Sequence, residues 1–168
     1  YLFDVVVANV NDSPTGTLTI SGTVAEDETL TAVTSSISDE DGLGDFSFKW
    51  FANDVAITDA NDSTFTLSQA EVDKAITVKV SYTDGHGTSE ELTSSKSGDV
   101  VNVNDLPTGA TLTGTATQGQ ALTAVASSIL DEDGLGEFSY QWFADDVAIT
   151  DANDSTLTLS QAEVDKAI

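Results

Sequence analysis

Cysteine and methionine are absent from the 168 residues, proline occurs twice, histidine once, and five basic residues face 29 acidic ones. Each absence excludes something. Without cysteine there can be no disulfide framework and no thiolate metal site. A cysteine-free chain fits an extracellular protein that does not depend on oxidative folding. The formal charge of −24 repels phosphate-bearing surfaces, which need Lys and Arg to displace their counterions, so nucleic acid and anionic membranes are excluded as partners. No apolar run approaches the roughly 18–20 residues of a membrane-spanning helix, and no membrane insertion is expected. Residues 1–10 lack a basic n-region and a small-residue cleavage site and do not read as a signal peptide. The single His86 cannot complete a Ser/His/Asp set. Asp39 and Asp41 could in principle act as a glycosidase pair, but they recur as Asp131 and Asp133 in a duplicated loop, a poor place for an active site. The sequence argues against an enzyme.

What the chain does have is repetition. The segment from Ser35 to Ile76 recurs almost unchanged as the segment ending at Ile168, and Trp50 with Trp142 gives the same offset of 92 residues. NVNDSPTG from Asn9 recurs as NVNDLPTG from Asn102, at an offset of 93, so one residue is lost between Thr17 and Gly114. Near-identity over such a length means recent duplication of a whole domain. The reading is three pieces: residues 1–10 as the last strand of a preceding repeat, residues 11–103 as a complete repeat, and residues 104–168 as a second repeat without counterparts of its last two strands.

Within the complete repeat, apolar and polar residues alternate, the mark of half-buried strands. Strands are expected at Thr17–Ile20, Thr29–Val33, Phe46–Phe51, Val55–Ile57, Thr64–Leu67, Ile76–Tyr82 and within Glu91–Val103. Ser68 followed by Glu71 forms a capping-box pattern for a single helical turn. Asp84–Gly87 makes a hairpin. Seven short strands in one repeat, with Trp50 in the third, predict an all-β chain of tandem immunoglobulin-like, or cadherin-like, β-sandwiches.

The succession NVND-x-PTG, DEDGLG-x-FS, QWFADDVAITDANDSTLTLSQAEVDKAI and TVKVSYTDGHGT resembles the immunoglobulin/cadherin-like repeats of large, type I-secreted bacterial surface adhesins of the RTX type. That resemblance implies an extracellular location at the bacterial cell surface. It also implies a calcium-rigidified extender that holds a binding domain for a glycan or host surface elsewhere in the parent protein. Its nearest partners would then be neighbouring repeats of the same chain. The glycine-rich nonapeptides of such adhesins do not occur in these residues.

Sandwich topology places the chemistry. The loop after the second strand (Asp39–Gly44), the loop after the sixth (Asp84–Gly87) and the linker Asn9–Asp12 should meet at one apex. The expected calcium ligands are Asn11, Asp12, Asp39, Asp41 and Asp84, with helical-turn carboxylates of the Glu71 and Asp73 type, at a repeat's far end, added from the preceding repeat. In the second repeat the corresponding set is Asn104, Asp105, Asp131 and Asp133. Ca²⁺ takes 6–8 hard oxygen ligands, which several acidic loops together can supply. Asp39 begins no EF-hand, because its twelfth position is Trp50 rather than a bidentate Glu. Expected function is therefore a structural spacer, with calcium at repeat junctions. The competing readings are a domain that itself binds a glycan or partner protein, and a fibre subunit that exchanges strands between chains.

Overall fold

A computed structural model of the chain describes Asp4 and residues 6–168. The chain is nearly all β, built from short antiparallel pairings, and divides into two compact units, Tyr1–Val103 and Asn104–Ile168. Among the described residues no helix is long and apolar enough to cross a membrane.

Unit 1 contains β1 (Thr19–Ser21), β2 (Thr29–Val33), β3 (Ser47–Ala52), β4 (Val55–Ala56), β5 (Thr64–Thr66), β6 (Ile76–Thr83) and β7 (Ser89–Thr93). One sheet has the order β1-β2-β5 and the other β4-β3-β6-β7. The alternating sequence explains the long central strand. Along β6, Ile76, Val78, Val80 and Tyr82 face inward, and β3 pairs with it over six residues. Both sheets feed one core: Leu30 and Ala32 from β2, Trp50 and Ala52 from β3, and Ile76, Val78 and Val80 from β6 pack together. Each large side chain so buried contributes about 1.5–3 kcal/mol. Trp50 is wholly enclosed, and its indole N–H donates to the Asp62 carbonyl at 2.9 Å, which satisfies the one polar atom the burial would strand.

Serine side chains shift two of the expected strand limits. Thr17 exchanges hydrogen bonds with the Ser36 side chain rather than with a strand, so β1 begins two residues later than the alternation predicts. After β7, Ser94 and Ser97 present hydroxyl oxygens to the N–H groups of Val78 and Ile76, replacing the carbonyls of a regular ladder. The expected last strand is thereby split into β7 and isolated bridges at Asp99, Val100 and Val101. The single turn after β5 forms as a 3-10 turn, Gln69–Glu71, with its capping box in place. Of the strand expected over residues 1–10, residues 1–3 and 5 lie outside the described residues. Asp4 and residues 6–10 belong to no strand and are exposed.

Unit 2 contains β8 (Thr111–Gly114), β9 (Ala121–Val125), β10 (Phe143–Ala144), β11 (Val147–Ala148) and β12 (Thr156–Thr158). The sheet β8-β9-β12 has the order of β1-β2-β5. The residues matching β3 pair only as the short β10, because nothing in this unit occupies the place of β6. Trp142 is still buried, and its indole N–H donates to the Asp154 carbonyl at 2.9 Å. Phe138 and Phe143, however, stand 42% and 48% exposed.

Candidate metal centre

The acidic end of unit 1 is assembled by backbone contacts before any side chain is considered. The Gly85 N–H donates to the Asp41 carbonyl at 2.9 Å, joining the loop after β2 to the β6–β7 hairpin. Glycine is required for that approach: a Cβ at Gly85 would lie 2.6 Å from the Asp41 oxygen, and one at Gly44 would lie 2.1 Å from the Thr83 oxygen. The linker is clasped to the same loops. Asp12 donates its N–H to Asp41 Oδ2 at 2.8 Å, and the Asn11 amide donates to Glu90 Oε1 at 2.8 Å. Asp41 Oδ1 lies 3.9 Å from His86 Nε2, a loose contact on a mostly exposed imidazole.

Three carboxylates converge here. Asp39, Asp84 and Glu90 each place one oxygen within 4.8 Å of the others. Asp84 is 6% exposed, and its Oδ1 accepts from the His86 and Thr88 N–H groups at 2.8 Å each. Burial drives its pKa upward, but the Thr88, His86 and Gly87 main-chain donors outweigh that and hold it below the ordinary carboxylate range. Asp84 Oδ2 is different: it is buried and has no hydrogen-bond partner among the described residues. An ionised oxygen in that position is costly unless something positive or hydrogen-bonding meets it. Asp39 Oδ1 accepts from the Asp41 N–H at 2.9 Å, and Asp39 Oδ2 accepts from the Tyr82 hydroxyl at 2.5 Å.

Of the expected ligands, the structure therefore brings Asn11, Asp12, Asp39, Asp41 and Asp84 to one end of unit 1. Asp39 and Asp84 have oxygens in the converging trio, while Asp41 and Asn11 serve the linker clasp. Glu71 and Asp73, expected at the far end of a repeat, lie in and beside the 3-10 turn after β5. One Glu71 oxygen accepts from both the N–H and the hydroxyl of Ser68, and Asp73 is exposed with positive φ. In unit 2 the clasp repeats: the Asp105 N–H donates to Asp133 Oδ2 at 2.8 Å, and the Asp133 N–H to Asp131 Oδ1 at 3.0 Å. Asn104 uses its amide on the Asp105 carbonyl.

Two acidic residues escaped the sequence reading. Glu90 was legible in principle, since a hairpin closed by Asp84–Gly87 pairs Tyr82 with Glu90 and puts both side chains on the inner face. Glu26 follows β1 and is 2% exposed. Its carboxylate accepts from the Val103 N–H at 3.2 Å and, with the Gln69 amide turned to satisfy both ends, from Gln69 at 2.9 Å. No periodic signal marks it.

Compared with known proteins, the chain matches no family model, no curated protein and no solved structure.

Proposed function

We propose that this chain is part of an extracellular structural spacer, a run of immunoglobulin-like β-sandwich repeats from a bacterial surface adhesin, stiffened by calcium at the linker end of a complete repeat. The observation that carries the calcium reading is the buried, unpartnered Asp84 Oδ2 within a trio of converging carboxylates. The donor set is all oxygen and anionic, which fits a hard cation such as Ca²⁺ and fits poorly a metal that prefers nitrogen or sulfur. Asp39, Asp84 and Glu90 would hold the ion, and its charge would relieve the repulsion among them. Because the Asn11 side chain donates to Glu90, an ion that fixes Glu90 also fixes the linker.

The spacer reading is supported by the near-identical repeat at an offset of 92 residues, which suits serial extension better than a unique receptor site. It is supported further by the −24 charge, which keeps such a rod soluble and discourages self-association. The test is a thermal melt of the intact chain in EGTA and in Ca²⁺. At a Ca²⁺ concentration of about 100 times Kd, unit 1 gains about 2.7 kcal/mol. For a domain of this size that raises Tm by roughly 10–20 °C. Asp84→Asn removes one negative ligand with little change of shape and should abolish most of the shift. Superimposable melts with and without Ca²⁺ would refute the calcium reading.

A further inference from the structure

One residue joined to the carboxylate trio is not itself a carboxylate. Tyr82 is 4% exposed, on the inner face of β6. Its hydroxyl donates to Asp39 Oδ2. Directly across the β6–β7 pairing its partner is Glu90. Two residues further along the chain, where alternation returns to the same face, stands Asp84. One side chain is thus bonded to the first carboxylate, registered opposite the second and in line with the third. Its ring is held in turn: Phe46 meets it edge-on, with centroids 5.4 Å apart and planes at 88°. β6 lies between β3 and β7, and at Tyr82 itself the pairing is with β7 alone.

We propose that Tyr82 is the positioning residue of the cation site. Its hydroxyl draws Asp39 toward Asp84 and Glu90 before an ion arrives, so that binding does not have to order Asp39 against the repulsion of the other two carboxylates. The inference rests on the calcium reading above and deepens it. The hydrogen bond is charge-assisted, the kind whose loss is felt most strongly. The aromatic ring supplies packing that phenylalanine would keep, so hydroxyl and ring can be separated by experiment. Unit 2 offers no counterpart of Tyr82, Asp84 or Glu90 in these residues, although Asp131 and Asp133 keep their own hydrogen bond.

The experiment is a calorimetric Ca²⁺ titration of the full 168-residue chain and of two variants. Tyr82→Phe should weaken Ca²⁺ binding roughly 10-fold or more, as expected for loss of a hydrogen bond to a charged group. Its melt in EGTA should fall by less than that of Val80→Ala. Val80→Ala, a cavity on the same face of β6, should lower the EGTA melt and leave Ca²⁺ affinity unchanged. Equal affinity in Tyr82→Phe and wild type overturns the inference while leaving the calcium reading intact. Equal weakening by Val80→Ala also overturns it, since any loosening of β6 would then suffice. A wild-type chain that takes up no Ca²⁺ defeats both. A second measurement does not depend on how Tyr82→Phe folds. In a chain carrying Tyr1→Phe and Tyr140→Phe, Tyr82 is the last of three tyrosines. Ca²⁺ should then produce a near-ultraviolet tyrosine difference band that saturates with the calorimetric midpoint, and its absence counts against the inference.

Discussion

A phenol enclosed beside carboxylates is slow to give up its proton. Burial raises the Tyr82 pKa most, followed by the hydrogen bond to Asp39 and by the charges of Asp39, Glu90 and Asp84. Its folded value therefore lies above the value of about 10 in an unfolded chain. A raised pKa stabilises the fold wherever the group is protonated, so this contribution is complete below about pH 10 and is lost as the pH climbs past it. In EGTA, the melting temperature should fall more steeply above about pH 10 for wild type than for Tyr82→Phe, which has no phenol to ionise. Identical alkaline limbs would place the loss elsewhere. Asp84 runs the other way: its lowered pKa stabilises the fold above about pH 4 and that support fades in acid. Among the acids, the loops DEDG and DGHG were visible as candidates because Asp and Gly cluster there. Glu90 was not, because it stands in a strand beside Glu91, and only register distinguishes the inward residue from the outward one, which pairs with Lys79 at 2.7 Å.

Strands were legible where alternation was strong. β2 occupies the residues the pattern predicts, and β3 and β6 differ from it by one residue at an end or at both. The 3-10 turn after β5 was announced by its capping box, a signal that depends only on Ser68 and Glu71. Legibility failed where hydroxyls act as backbone. Ser36, Ser94 and Ser97 look like ordinary surface serines in the sequence, yet each replaces a main-chain partner and moves a strand limit. The unit 2 strand around Trp142 was equally obscure. Its residues nearly copy those of β3, but a strand is made by its neighbour as much as by its own pattern, and only Phe143–Ala144 finds one. The converging carboxylates were half legible, since topology foretold the meeting of the loops and the linker but not which oxygens would be left without partners.

The two units carry unequal cores. Among the described residues, twelve buried ones form the unit 1 cluster and four form that of unit 2, so the second is expected to unfold first. A urea titration of the chain should show two steps. The first should be reported by Trp142 in a Trp50→Phe variant, and the second by Trp50 in a Trp142→Phe variant. A single transition with coincident midpoints would mean that the units stand or fall together. The clasp on Asn11 and Asp12 has a mechanical corollary. Before β1, the chain is attached to unit 1 by a series of separate polar links: Asn11 to Glu90, Asp12 to Asp41, Thr15 to Ser38 and Thr17 to Ser36. Tension arriving from the N-terminal side meets these links before it reaches the sheet. They can release at most roughly 20–25 Å of chain, the extended length of seven residues at about 3.3–3.6 Å each, while the hydrophobic core stays closed. A force–extension trace should show this short yield ahead of sheet rupture, at higher force in Ca²⁺ than in EGTA. A segment tethered this way would act as a shock absorber, with its links re-forming when the pull is released.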